Sequence, residues 1–311
     1  MILLCGIPSE TPMRMVREQL AALGAETILF NQRNFARTAI SYEVGDTGVS
    51  GTLRLDAREI PLVDIGAVYV RMMDDRALPE LRGLPDAAPE RAYCRGVHDA
   101  LTRWIEIAPA LVVNRCASMA SNASKPYQAQ LIQAQGFSVP ETLITSDPER
   151  LRAFRAEYGR VVYKSISAVR SIVQTFGVQD EPRLDQIRWC PTQFQAYVEG
   201  TDVRVHVVGD RVFATAISTE ATDYRYAARQ AGEPAQLREV RLSDELAGRC
   251  VALARSLGLV FAGIDLKVTP ADEVVCFEVN PSPAFSYYEG NTGQPIAAGL
   301  AACLVEADRR S

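Results

Sequence analysis

The chain has 311 residues, 48% hydrophobic and 23% charged, a globular composition with ample apolar material for a core and a length that suggests two or three domains. A formal net charge of −5 argues against nucleic-acid binding and against an anionic membrane surface, and leaves polyanions only a local basic pocket. Seven cysteines without a CxxC pair, mostly inside apolar stretches, read as reduced, buried thiols of a cytoplasmic protein. "MILLCGIP" lacks the length and basic leader of a signal peptide, and no apolar run approaches the ~20 residues of a membrane span.

"MILLCG" predicts a strand. "TPMRMVREQLAALG" predicts a helix with Thr11 as N-cap, Pro12 in the first turn and Gly24 as its stop, and "ETILF" a second strand, so the chain opens as a βαβ unit with parallel pairing. "ISYEVGDTGVSGTLRLD" follows as two short strands around a glycine-rich turn, then "GAVYVR" as a strand ending in Arg71. A helix through about residues 86 to 108 and the strand "ALVVN" complete an N-terminal α/β domain over 1–113. Residues 114–192 hold the helix "SKPYQAQLIQAQG", the strand "ETLIT", the capped helix "DPERLRAFRAEYG" and the strands "RVVYKSI" and "SIVQTFG", closing on the polar stretch "VQDEPRLDQIRWCP". Residues 193–311 give three apolar strands, "FQAYVEG", "DVRVHVVG" and "RVFATAIS", a polar linker, a helix, two long strands and a closing helix.

The chemistry concentrates in the last strand pair. "VFAGIDLKV" and "VVCFEVNPS" flank the turn-rich "TPADE", which predicts an antiparallel hairpin. Glu278 and Asn280, two apart, share a strand face, and the hairpin brings Asp265 opposite them. Three oxygen donors on one face suit Mg²⁺ with phosphate, and two ions ~4 Å apart fit between such groups. The alternative is a set of solvent-facing residues on a half-exposed strand; a lone carboxylate buried beside Gly-Ile and Leu would cost several kcal/mol, which favours the metal.

Only three lysines occur, Lys125, Lys164 and Lys267. Lys164 interrupts an apolar strand, where a cation calls for an anion such as an ATP phosphate; Lys125 begins a helix after the Ser/Asn-rich "SMASNAS", an environment able to hold an anion. Each lysine read alone is equally a snorkelling surface residue. Lys267, in register with Asp265, stays unassigned. In "QFQAYVEGTDVRVHVVG" a strand turns at Glu199-Gly200-Thr201 and resumes with Asp202 and Arg204 on one face: a hinge for a purine edge, an acid for a ribose hydroxyl and a guanidinium for phosphate, or else an exposed strand pair. Neither His98 nor His206 belongs to a Ser/His or Cys/His constellation, and His206 reads as structural.

Taken in order, "NRCASMASNASKPYQAQLIQAQGFSVPETLIT", "VVYK", "FQAYVEGTDVRVHVVG" and "AGIDLKV…FEVNPSPAF" resemble the ATP-grasp ligases, in particular the RimK-type branch that includes the graspetide (microviridin-type) peptide macrocyclases. The resemblance spans nearly the whole chain. It implies an ATP-grasp fold of α/β (α+β) class, in which an N-terminal α/β pre-ATP-grasp domain precedes central and C-terminal subdomains that sandwich ATP. It implies Lys125 and Lys164 on the ATP phosphates, Gln195, Tyr197 and Val198 around adenine, and Asp202 on ribose. Asp265, Glu278 and Asn280 would hold a pair of Mg²⁺ ions, with Mn²⁺ as a substitute. Arg204, and Arg225 of "TDYR", would face the phosphoryl group or acyl phosphate. The implied activity is ATP-dependent ligation of a peptide or amino-acid-like carboxylate to an amine or hydroxyl through an acyl phosphate. The alternatives are a macrocyclase acting on a ribosomal precursor peptide and a nucleotide-binding module without turnover. A homodimer is compatible with the sequence. Two departures stand out: "SISAVRSIV" follows Lys164 where many relatives have a glycine-rich loop, and the arginine pair of the macrocyclases' N-domain strand is reduced to Arg71.

Overall fold

The computed structural model describes residues 1–46, 48–164, 173–219, 232–233 and 235–310. Four sheets organise them. The first is parallel, in the order Thr27–Asn31, Ile2–Gly6, Ala67–Arg71, Leu111–Val113, as the βαβ opening predicts. Its central strand, Ile2–Gly6, is buried along its whole length, which is why it reads as an unbroken apolar run rather than an alternation. The helix Thr11–Ala22 buries Met13, Val16 and Leu20, a stripe at helical spacing. Thr11 is its first helical residue rather than its cap: Glu10 occupies the cap position without a side-chain capping bond, because its carboxylate is drawn instead to Arg71.

The glycine-rich hairpin forms as Thr38–Gly45 and Gly48–Leu55, and a short strand that the pattern did not reveal, Arg58–Pro61, adds to it. The helix predicted near 86–108 runs from Pro89 to Ile107. A second sheet, antiparallel, has the order Gln174–Thr175, Val161–Lys164, Thr192–Ala196, Thr142–Thr145. It therefore takes in residues 193–196, past the sequence-based boundary at 192/193. The polar stretch before them winds into a 3-10 helix, Val178–Trp189.

The largest sheet has five antiparallel strands in the order Gln236–Val240, Arg211–Ser218, Thr201–Val208, Phe261–Val268, Val274–Asn280. Alternation divides its faces. Val203, Val205, Val207, Ile264 and Val279 pack on Cys250, Leu253 and Ala254 of the helix Asp244–Ser256, while Asp202, Arg204 and His206 take the opposite side. The closing segment is two helices, Ser286–Thr292 and Ile296–Asp308. Leu300 and Leu304 of the second join Ile2, Leu4, Met13 and Tyr69 in one core, which fastens the N-terminal sheet to the five-stranded one. Fully burying such a side chain stabilises by about 1.5–3 kcal/mol. Among the described residues no helix is long and apolar enough to cross a membrane.

Candidate active site

The "TPADE" hairpin forms as predicted and sets the register of the site. Arg204 stands opposite Asp265, and Asp265 opposite Glu278, so one rung carries guanidinium, carboxylate and carboxylate across three strands. Asp202 faces Lys267 on one side of that rung, and Gly263 faces Asn280 on the other. A bulge between Asp265 and Leu266 absorbs Phe277, and beyond it Glu278 and Asn280 keep the common face that alternation gives them.

Arg204 Nη1 donates to Asp265 Oδ1 at 2.6 Å. Its guanidinium lies over Gly263, where an added Cβ would come within 2.2 Å of Arg204 Nη2 and 2.8 Å of Pro283 Cβ, so only glycine leaves room. Lys125, first residue of the helix Lys125–Ala134, donates to Glu278 Oε2 at 2.9 Å and to Asn122 Oδ1 at 2.9 Å. Burial alone would raise the Glu278 carboxyl. The Lys125 ammonium outweighs it, with help from Lys164 and Arg204, and holds the group below the usual carboxylate value. Asn280 Oδ1 accepts the Ser282 N–H at 2.9 Å, and Lys267 Nζ stands 3.2 Å from Asp202 Oδ1.

Lys164 ends its strand opposite Gln193 in the four-stranded antiparallel sheet. With Lys125, Gln195, Thr142 and Phe277 it lines a cavity of about 330 Å³. Gln195 Nε2 donates to Thr142 Oγ1 at 3.0 Å. Tyr197 and Val198 follow the end of the strand Thr192–Ala196; the Tyr197 ring lies under the Arg160 guanidinium, 3.5 Å from its centroid, and the Tyr197 N–H donates to the Arg160 carbonyl at 2.9 Å. At Gly200 the chain turns with φ +142° and passes so close to Val268 that a Cβ would sit 2.2 Å from its carbonyl oxygen. His206 is fully buried against the rings of Phe261 and Tyr288; burial first, and Arg204 second, push its pKa well below the ordinary value and keep it neutral. Arg225 and residues 165–172 lie outside the described residues.

A sequence profile of the RimK-like ATP-grasp domain matches residues 122–304, which contain the rung, Lys125, Lys164 and the turn at Gly200. The chain belongs to the RimK-like ATP-grasp family. This ATP-grasp ligase is 27% identical over 229 residues to a probable alpha-L-glutamate ligase of Xanthomonas euvesicatoria pv. vesicatoria (strain 85-10), a match covering 68% of the chain and 74% of that protein. Among solved structures, the ATP-grasp ligase PsnB, complexed with a phosphomimetic variant of a minimal precursor, Mg and ADP, is 27% identical with a TM-score of 0.79 over 98% of both chains. A RiPP-associated ATP-grasp ligase of Chryseobacterium gregarium, in complex with ADP and a leader and core peptide, shares the fold at a TM-score of 0.82 with 22% identity, covering 98% of this chain and 96% of that one.

Several residues that shape the ATP-grasp site were not legible as such in the sequence. Gln128 donates to the Val279 carbonyl at 2.8 Å and accepts the Val279 N–H at 3.0 Å, acting as a substitute neighbour for the edge strand between Glu278 and Asn280. Asn114 bonds the Pro281 and Phe261 carbonyls, each at 2.6 Å, and accepts the N–H groups of Val260 and Phe261. One signal for Gln128 was available: it lies four residues before buried Ile132, a polar residue on the buried stripe of its helix. Asn114 carries no comparable signal, and Gly263 was passed over as part of an apolar strand.

Proposed function

We propose that this ATP-grasp ligase uses ATP and Mg²⁺ to activate a peptide or amino-acid-like carboxylate as an acyl phosphate and joins it to an amine, with release of ADP and phosphate. The observation that carries the reading is the convergence of Lys125 and Lys164 on one cavity beside the Arg204–Asp265–Glu278 rung. ATP would lie between the four-stranded antiparallel sheet and the five-stranded one. We accordingly divide the chain into an N-terminal domain of residues 1–113, a central subdomain from 114 that keeps the strand Thr192–Ala196, and a C-terminal subdomain carrying the metal residues.

The donor set suits the ion. Among the described residues no three His, Cys, Asp or Glu side chains converge, so Asp265 and Glu278 need the Asn280 amide oxygen, water and phosphate to complete a shell, a pattern typical of Mg²⁺. A pair of such ions, when bound, neutralises charge developing on the transferred phosphoryl group. Lys125 and Lys164 would hold the phosphates, Asp202 the ribose, and Gln195 the base. Because the Tyr197 N–H is engaged by Arg160, the Tyr197 carbonyl and Val198 N–H are the hinge groups assigned to the purine edge.

A carboxylate oxygen of the substrate attacks the γ-phosphorus, and the bond to the bridging oxygen breaks to leave ADP. The amine nitrogen then adds to the acyl carbon, the carbon–oxygen bond to phosphate breaks, phosphate departs and the nitrogen gives up its proton. Arg204, joined by Arg225 on the family resemblance, would stabilise the oxyanion formed between these two events. A second reading, crosslinking within a ribosomal precursor peptide, is favoured by one observation: the likeness to peptide-complexed ligases runs over 98% of the chain, the N-terminal sheet included.

The test is ADP and phosphate release from Mg-ATP across amino acids, dipeptides and any precursor peptide encoded nearby, with mass spectrometry of products. We expect a carboxylate-dependent product that has lost water, intramolecular if the second reading holds. Glu278→Gln should abolish it while leaving the fold intact; turnover equal to wild type would remove Glu278 from the metal site.

A further inference from the structure

Beside the loop that follows Asn280, a cavity of about 350 Å³ opens against the ends of the strands Ile2–Gly6 and Ala67–Arg71, lined by Ile7, Ser9, Glu10, Met72, Met73 and Ser282 together with Arg71. Arg71, at the end of its strand in the parallel sheet, is the cation that a substrate carboxylate would be expected to seek here. The structure commits it elsewhere. Its Nε donates to both oxygens of Glu10 at 3.0 Å, its Nη2 to Glu10 Oε1 at 2.5 Å, and its Nη1 to the Pro283 carbonyl at 3.2 Å and to Ser282 Oγ at 3.4 Å. Four of the five N–H groups of a guanidinium are thereby used. The Arg71 side chain is 9% exposed, whereas that of Glu10 is 35% exposed.

The cavity therefore presents the outer side of a carboxylate, with lone pairs to spare, two serine hydroxyls, and a wall of two thioethers and an isoleucine. An incoming carboxylate would meet Glu10, and Arg71, already committed to Glu10, Ser282 and Pro283, would have to give up bonds to receive it. A primary ammonium on an aliphatic stem suits every surface: its three donors find Glu10 and the hydroxyls, and its methylenes find Met72, Met73 and Ile7. We propose that this cavity is the acceptor subsite and that it selects a lysine-type ammonium over a hydroxyl, with Glu10 as the specificity-determining residue. The assignment rests on the ligase reading above and deepens it, since it chooses amide over ester as the bond formed.

Binding can be measured without turnover, so the test does not depend on knowing the donor. Full-length protein with Mg-ADP is titrated at pH 7 with butylammonium, butanol and butyrate, followed by ligand-observed NMR. Wild type should bind butylammonium at least tenfold more tightly than butanol and show no binding of butyrate. Glu10→Gln should erase the preference. Arg71→Met, which leaves the Glu10 carboxylate without its guanidinium, should strengthen butylammonium binding severalfold, a gain that a merely structural Glu10–Arg71 pair would not give. Circular dichroism on both variants guards against unfolding. Equal binding of the three probes to wild type, or a preference that survives Glu10→Gln, overturns the subsite. Absence of carboxylate-dependent ADP release from wild type would instead defeat the ligase reading, and the binding result would stand apart from it.

Discussion

Replacing Gln128 by methionine removes two hydrogen bonds while largely conserving volume, and so isolates how much of the site depends on its clamp. Gln128 is 1% exposed and Val279, whose N–H and carbonyl it satisfies, is 0% exposed. Leaving a buried polar group without its partner costs about 1–3 kcal/mol, so the two together cost about 2–6 kcal/mol. That is a large share of the roughly 5–15 kcal/mol that keeps a domain folded, yet in most of that range the protein stays native at 25 °C. The functional consequence follows from position. Lys125 is three residues before Gln128 on the same helix, and Glu278, its ion partner, immediately precedes Val279. With the clamp gone, helix and strand are no longer held together at the point where ammonium meets carboxylate, a charge-assisted contact worth about 1.5–3 kcal/mol. We therefore expect urea unfolding to show a loss within the range above, and KM for Mg-ATP to rise about tenfold or more, with a smaller change in kcat. Combining Gln128→Met with Lys125→Met should give a ΔΔG on KM smaller than the sum of the two, because both act on one contact. A stability loss under about 0.5 kcal/mol, or an unchanged KM, would show that the edge strand is held by other means.

Lys164→Ala should weaken ATP binding by about 1.5–3 kcal/mol, read by calorimetry as a Kd increased roughly 10- to 150-fold; an unchanged Kd would place that lysine off the phosphates. Gly263→Ala puts a Cβ 2.2 Å from Arg204 Nη2 and 2.8 Å from Pro283 Cβ, so it should displace the guanidinium and cut kcat at least tenfold, whereas activity within a factor of two of wild type would mean Arg204 has room to spare. Both histidines are held below their ordinary pKa, first of all by burial. The unfolded chain then binds more protons below about pH 6.5, and stability falls as the pH drops through that value, by up to about 1.4 kcal/mol per unit for each histidine. His206→Phe should remove its part of that slope in chemical denaturation between pH 6.5 and 5; an identical slope would mean His206 is protonated in the fold.

The parts of the site that could be read in advance are those governed by a short-range rule. Alternation along one strand fixed the common face of Glu278 and Asn280, and a turn-rich connection fixed their pairing with Asp265. The parts that could not be read depend on partners far away in sequence. Gln128 meets Val279 across 151 residues, Asn114 meets Pro281 across 167, and Arg71 meets Pro283 across 212. No local pattern encodes which main-chain group an amide side chain will satisfy. The same cause misplaced the first helix cap: Thr11 is a good capping residue by type, but Glu10 takes the position because its carboxylate has a guanidinium to meet on a strand 61 residues on. Those long-range contacts share an end point. Gln128, Asn114 and Arg71 bond main-chain groups of Val279, Pro281 and Pro283, every second residue from the end of the strand Val274–Asn280 into the loop that follows it. A segment gripped at alternate residues from the helix Lys125–Ala134 and from two strand ends of the N-terminal sheet cannot shift without disturbing both. That linkage gives the N-terminal sheet, which carries the cavity of Glu10, a direct mechanical hold on the residues assigned to ATP and metal.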